Sequence, residues 1–225
     1  NAAVTGVVML DVKVVIFDWD GTVMDSVGKI VNSVRIAAER LTLPVPTEHA
    51  AKQIIGLSLE PAFKTLFPDS TVAERELLSE HYKDVYSNVD KTPTPLFEGA
   101  ELVFSTLRQR GYQLAVATGK ARRGLDRMFA ETKTGHHFIT SRCSDEAQSK
   151  PHPQMLQHIL SELQLVPAQA VMIGDTSFDM AMACAAGSRP CNPGSCCRWS
   201  CLLCCGWWAC TAWRCTHGLK ANGWA

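Results

Sequence analysis

Three short apolar runs in this chain each stop at a polar pair or a carboxylate. Val14-Val15-Ile16-Phe17 precedes Asp18, Leu114-Ala115-Val116-Ala117 precedes Thr118-Gly119, and Ala170-Val171-Met172-Ile173 precedes Gly174-Asp175. A continuous apolar run of this length, bounded by polar residues and glycine, reads as a strand buried on both faces. The segments just before the second run, between the second and third, and after the third carry apolar residues at helical spacing. These are 99–110 with Gly111 behind it, 121–130, 153–163 with Met155, Leu156, Ile159, Leu160 and Leu163, and 178–186 closed by Gly187. A further short strand is expected over 138–141. Strands alternating with helices imply an α/β fold, a Rossmann-like parallel sheet with crossover helices. Open sheets of this kind gather ligands at the carboxyl ends of their strands, which is where the polar pairs fall.

One block breaks the alternation. Residues 26–41 place Val27, Ile30, Val31, Val34, Ala38 and Leu41 on one helical face, with Ser26 available as a cap. Pro44 and Pro46 end that helix, and further helices are expected over 49–55, 59–66 and 73–88. Thr92-Pro93-Thr94-Pro95 then reads as a stiff linker. The expected division is a catalytic core of 11–25 and 92–187, an inserted α-helical cap of 26–91, and an anomalous tail of 188–225.

The chain has 225 residues, enough for one large domain or a core with an insertion. Lysine plus arginine and aspartate plus glutamate both total 22, so no net charge favours a nucleic-acid or membrane-surface partner. No apolar run is long enough to span a bilayer. The opening segment 4–10 is apolar but short and has no basic flank, which argues against a signal peptide. The chain begins at Asn1 rather than Met. Only Cys143 and Cys184 lie in the body, a usage that fits the reducing cytoplasm.

Asp18-Trp19-Asp20-Gly21-Thr22 follows the first run. As chemistry, Asp18 is a nucleophile and Asp20 a general acid/base; a carboxylate attacking phosphorus divides one hard step into two. As structure, the same residues form an acidic strand-end turn. In Gly174-Asp175-Thr176-Ser177-Phe178-Asp179, Asp175 would share a divalent cation with Asp18. Asp179, one helical turn on, would hold a metal-bound water. Mg²⁺ suits such oxygen donors; the bland alternative is a helix cap. The hydroxyl and amides of Thr118-Gly119 suit phosphate oxygens, although an ordinary turn explains them equally. Lys150, between Ser149 and Pro151-His152-Pro153, would steady both the attacking carboxylate and the phosphate, or is a lone surface lysine. Trp19 and Gly56 join Thr118, Gly119 and Lys150 as substrate-contacting candidates.

Taken together, Asp18-Trp19-Asp20-Gly21-Thr22, Thr118-Gly119, Lys150 and Gly174-Asp175 with Asp179 resemble the motifs of the haloacid dehalogenase-like (HAD) superfamily. The resemblance covers about 12–187, and the helical block resembles the cap of its phosphoglycolate-phosphatase-like branch. It implies a cytoplasmic, Mg²⁺-dependent phosphatase that hydrolyses a small phosphorylated metabolite through an aspartyl-phosphate on Asp18. The implied metal ligands are Asp18, Asp175, Asp179 and the main-chain carbonyl of Asp20. An aspartate network of this kind would be superfluous in a dehalogenase. Ile54-Ile55-Gly56-Leu57-Ser58-Leu59 resembles the substrate-specificity loop; Leu59 stands where phosphonate-cleaving relatives carry a Schiff-base lysine. Arg122 and Arg123 read as a solvated helix face. A phosphoglucomutase-like phosphotransferase is the alternative enzyme.

After Gly187 the resemblance stops. Eight of the ten cysteines fall between Cys191 and Cys215, with Trp199, Trp207, Trp208, Trp213 and Trp224 among and after them. Three readings are open. One is a zinc site using Cys201, Cys204 and Cys210, Cys215 or His217. Another is a disulfide-rich appendage, at odds with the body. The third is a shifted reading frame, which accounts for the joint excess of Cys, Trp, Arg and Gly through their G-rich codons. On that third reading the last strand is missing, one sheet edge is open and solubility is low; a non-catalytic or defective product with a metal-binding Cys-rich tail is the alternative outside the enzymes.

Overall fold

A computed structural model describes residues 11–193; the residues named for a zinc site lie beyond that span, as does the tail of the disulfide and frameshift readings apart from 188–193. Five parallel strands form one sheet: β1 (Val14–Phe17), β2 (Gln113–Ala117), β3 (Thr140–Arg142), β4 (Ala170–Ile173) and β5 (Arg189–Cys191), in the spatial order β3-β2-β1-β4-β5. β1 is central. Phe17 sits opposite Val116 on one side and Ile173 on the other, so the three strands end at the same edge of the sheet.

Both faces are covered, which explains why the strands read as unbroken apolar runs. Val15 and Phe17 pack on one side with Val103, Phe104 and Leu107 of α5 (Ala100–Gln109) and with Leu125 and Met128 of α6 (Arg122–Thr132). Val14 and Ile16 pack on the other with Met155, Leu156, Ile159 and Leu160 of α7 (Gln154–Leu163) and with Met182 and Ala183 of α8 (Ser177–Ala185). Phe17 meets Phe104 edge to face, ring centroids 5.3 Å apart, a favoured aromatic geometry.

Between β1 and β2 the chain inserts four α-helices: α1 (Val27–Arg40), α2 (Glu48–Gln53), α3 (Leu59–Leu66) and α4 (Val72–Asp84). They have a small core of their own, built from Val34, Ala37 and Ala38 of α1 with Phe63, Phe67 and Leu78. Thr71 and Glu74 close a capping box at the start of α4. The regular helix expected over 73–88 instead changes pitch. Residues Val85–Val89 form a π-helical turn, closed by the Asp90 amide donating to the Val85 carbonyl at 2.8 Å. Such turns recur at functional sites, and this one carries the buried Tyr86.

The insertion leaves and rejoins the core through two segments lying side by side. The Asp25 amide donates to the Pro95 carbonyl, the Phe97 amide to the Val23 carbonyl, and Met24 pairs antiparallel with Leu96.

The strand β5 departs from the sequence reading, which saw no strand after Gly187. It is only three residues long and contains Pro190, so it carries no period of its own; its pairing is supplied by β4, with Ile173 opposite Cys191. Among the described residues no helix is long and apolar enough to cross a membrane.

Candidate active site

Asp18 continues β1 by one hydrogen bond, its amide donating to the Ile173 carbonyl at 2.8 Å. The chain then turns tightly: the Val23 and Met24 amides both donate to the Trp19 carbonyl. Gly21 makes the turn with φ of +80°, and a β-carbon there would lie 2.5 Å from Oδ2 of Asp175. Glycine thus brings the loop after β1 against the loop after β4. Thr22 fastens the two: its hydroxyl donates to Oδ1 of Asp175 at 2.7 Å and accepts from the Asp175 amide at 3.1 Å.

Asp18 is 1 % exposed and Lys150 likewise 1 %. Nζ of Lys150 lies 2.6 Å from Oδ1 of Asp18 and 2.7 Å from Oδ1 of Asp179. Lys150 is therefore no surface lysine: it is the fixed cation between two buried carboxylates. Burial opposes its charge, but Asp179 and Asp18 outweigh that and raise its pKa. Burial also pushes the Asp18 carboxyl well above the usual range; Lys150 pulls it back, while Asp179 and Asp175 add to the rise. Asp175 is raised in the same sense, again chiefly by burial.

One oxygen each from Asp18, Asp175 and Asp179 lie within 4.8 Å of one another. The buried Oδ2 of Asp18 has no hydrogen-bond partner among the described residues. Three carboxylates face a single ammonium, and a buried charge in that position demands compensation. This donor set fits a hard divalent cation, which takes oxygen ligands. Asp179 is more constrained than its sequence reading implied. Its Oδ1 meets Lys150, and its Oδ2 accepts from the Thr176 amide and hydroxyl in the capping box of α8.

Asp20 is bound differently. Its Oδ1 accepts from the Ser26 hydroxyl at 2.5 Å and lies 2.9 Å from Nζ of Lys120. Ser26 thus does not cap α1 with its side chain, as its position suggested; the hydroxyl is committed to Asp20. Lys120 was missed as a site residue, because only the fold carries it from the β2 turn to Asp20. Burial works against the Lys120 charge, yet Asp20 and Tyr86 together raise its pKa.

Thr118 is fully buried at the end of β2, and its hydroxyl accepts from the Lys120 amide at 3.2 Å. Gly119 touches the insertion directly: a β-carbon there would sit 2.7 Å from the carbonyl oxygens of both Gly56 and Leu57. Gly56 in turn packs beside Thr176, so the loop flagged in sequence does meet the core at the site. Backbone oxygens cannot swing aside like a side-chain tip, so Gly119→Ala is expected to prise this loop away. Overpacking of this kind costs about 1–3 kcal/mol. Urea melts and a several-fold rise in KM check it, and an unchanged KM with unchanged stability contradicts the contact.

Trp19 corrects its sequence assignment. Its ring is fully buried in the core, edge-on to Phe129 with centroids 5.2 Å apart and close to Phe138. Alternation along the chain explains it: Val15, Phe17 and Trp19 share one apolar cluster, so the side chain of Trp19 serves packing. Arg122 is occupied by Glu146 and Asp126.

Fold and site together define a parallel α/β protein with a carboxylate–lysine centre at the carboxyl edge of its sheet. The haloacid dehalogenase-like hydrolase family model matches residues 15–191, four residues past the point where the sequence resemblance was drawn to end. The chain belongs to that family. The tyrosine-protein kinase PtkA of Mycobacterium tuberculosis is 32% identical over 176 residues, covering 78% of this chain and 60% of PtkA. A phosphoglycolate phosphatase of Aliivibrio fischeri is 26% identical over 79% of this chain and 82% of its own length. Among solved structures, the haloacid dehalogenase-like hydrolase SP0104 of Streptococcus pneumoniae aligns with a TM-score of 0.69 at 26% identity, over 81% of this chain and 84% of that one.

Proposed function

We propose that the chain is a Mg²⁺-dependent phosphatase that hydrolyses a small phosphomonoester through an aspartyl-phosphate on Asp18. The observation that carries this reading is the convergence of Asp18 and Asp175, from the ends of β1 and β4, and Asp179, from the first turn of α8, onto one point, with Lys150 buried between Asp18 and Asp179. Both relatives named above act, by their names, on phosphoryl groups, and an attacking carboxylate beside fixed cations suits such transfer.

Asp18, Asp175 and Asp179 would hold the ion, with the main-chain carbonyl of Asp20. Bound there, Mg²⁺ supplies positive charge that neutralises the phosphoryl oxygens and keeps Asp18 ionised. Asp18 then forms a bond to phosphorus while the ester P–O bond breaks. Asp20 gives its proton to the departing oxygen. In the second half Asp20 takes a proton from water, whose oxygen attacks the same phosphorus; phosphate leaves and Asp18 is restored. The Thr118 hydroxyl, the Gly119 amide and the remaining N–H of Lys150 bind the phosphoryl oxygens. Ser26 and Lys120 both address Oδ1 of Asp20, leaving Oδ2 to carry the proton.

The insertion, residues 26–91, serves as the cap. The contact of Gly56 and Leu57 with Gly119 closes it over the phosphoryl end and keeps bulk water from the first step. The partner is a small phosphorylated metabolite, with neither nucleic acid nor membrane involved. The free, buried thiol of Cys143 accords with a cytoplasmic location.

Phosphate release across a panel of small phosphorylated metabolites, with Mg²⁺ or with chelator, tests the reading. Chelation is expected to cut the rate at least about a hundredfold, and added Mg²⁺ to restore it. Release that ignores the chelator, or no release from any ester with Mg²⁺ present, refutes it.

A further inference from the structure

Tyr86 belongs to the insertion, yet it reaches the core at the lysine that addresses Asp20. Nζ of Lys120 lies 2.9 Å from Oδ1 of Asp20 and donates to the Tyr86 hydroxyl at 3.4 Å. The same atom is 4.8 Å from the centre of the Tyr86 ring, within cation–π range. One ammonium is thus shared between a carboxylate of the core and an aromatic side chain of the insertion. Nζ of Lys29 and Cζ of Arg127 also approach the ring, at 4.9 and 5.8 Å. Of these three cations, among the described residues, Lys120 is the one paired with an aspartate of the site.

Lys120 needs a second partner. Its backbone is fixed: the amide donates to the Thr118 hydroxyl at 3.2 Å, and the carbonyl accepts from the Ser144 amide at 2.9 Å. Its side chain has no such restraint of its own. A lysine is among the costliest side chains to hold in one rotamer, and this one borders a cavity of about 930 Å³. Held by Asp20 alone, the ammonium would have room to swing away.

Tyr86 is itself anchored. It is buried and packs with Ile30 and Ile55. Its ring centre lies 5.9 Å from that of Tyr82, which meets Phe63 edge to face at 5.9 Å. A continuous row of contacts therefore runs from the core of the insertion to Asp20. At its end the Ser26 hydroxyl and Lys120 both grip Oδ1. Two donors fix the plane of that carboxyl, whereas a single donor would let it pivot.

We propose that Tyr86 is a positioning residue: by holding Lys120 against Oδ1 of Asp20, it aims Oδ2 at the departing ester oxygen. The proposal rests on the phosphatase reading and adds a residue of the insertion to its proton-transfer step. Tyr86 exchanges no proton itself. As the ester P–O bond breaks, the proton passes from Oδ2 of Asp20 to the leaving oxygen, and Tyr86 acts on this step through Lys120.

The test compares phenyl phosphate with 2,4-dinitrophenyl phosphate. Phenolate needs a proton as it departs; dinitrophenolate leaves without one. Measured as kcat/KM, both report cleavage of the ester bond and not the later attack of water. In Tyr86→Leu the value for phenyl phosphate is expected to fall about tenfold, and that for the dinitro ester less than about twofold, as befits a misaimed proton donor. Tyr86→Phe, which keeps the packing and loses the hydroxyl, should show about a threefold loss on phenyl phosphate alone. Lost packing, or lost contact with the aryl ring, would lower both esters together, so their ratio reads the aim of Asp20. In Lys120→Met the same ratio should drop, and adding Tyr86→Leu should lower it no further.

Equal losses on the two esters overturn the role, as does a selective loss from Tyr86→Leu that persists undiminished in Lys120→Met. Should Tyr86→Leu not fold, Tyr86→Phe decides by the same ratio. Release by the wild type with equal losses in the variants sinks the positioning role alone. No release of phosphate from either ester by the wild type sinks the hydrolytic reading, and the positioning role with it.

Discussion

Asp18→Asn is expected to abolish turnover, with kcat falling by about 10⁴-fold or more, the scale on which loss of a nucleophile is felt. The substitution is nearly isosteric. Its amide oxygen still accepts from Nζ of Lys150, which lies 2.6 Å from Oδ1 in the native chain. The second position changes most. The buried Oδ2, which has no partner among the described residues, becomes an NH₂ group that neither attacks phosphorus nor ligates a cation. Phosphate release at saturating ester, with circular dichroism to verify the fold, measures the loss. A kcat within tenfold of the native value would remove Asp18 from the chemistry.

Lys150→Met is expected to be the most destabilising substitution at the site. It fills nearly the same volume but leaves Asp18 and Asp179 buried without their shared cation. Breaking a buried ion pair from one side costs about 3–5 kcal/mol, a large part of the stability of an ordinary domain. Urea denaturation in chelator reads this directly. The deficit should depend on pH in a defined direction. The folded pKa values of Asp18 and Asp175 are raised, chiefly by burial. A raised folded pKa contributes stability below the unfolded carboxylate range, and that stability is lost as pH rises through the folded value. Removing Lys150 strips away a charge that lowers Asp18, so the loss deepens. The variant should therefore trail the wild type less at pH 5 than at pH 8, and Mg²⁺ should recover part of the difference by binding only the folded form. A variant as stable as the wild type at pH 8 in chelator would show that Lys150 does not neutralise this cluster.

The arrangement of the sheet was legible because both its faces are buried. The apolar runs around Ile16, Val116 and Met172 needed no tertiary information to be read as strands, and their ends named Asp18, Thr118, Gly119 and Asp175. Contacts made across the fold were not legible. Nothing near Lys120 in the chain signals that it pairs with Asp20, and Ser26 carries the ordinary signature of a cap although its hydroxyl serves that same aspartate. Trp19 sits between two acidic residues yet belongs to the packing of Phe129 and Phe138. The π-helical turn at Tyr86 follows a helix with no glycine or proline to announce it. The strand at Arg189–Cys191 owes its existence to β4 rather than to any pattern of its own.

Residues 23–25 and 95–97 are joined by backbone hydrogen bonds, so the helical segment leaves and re-enters the core at neighbouring points. A short hairpin could bridge those same ends and leave the strand order untouched. The scaffold that holds the aspartates and the helical insertion above it are thus separable in the chain. One could be exchanged between chains, like a head on a common handle, without rebuilding the other.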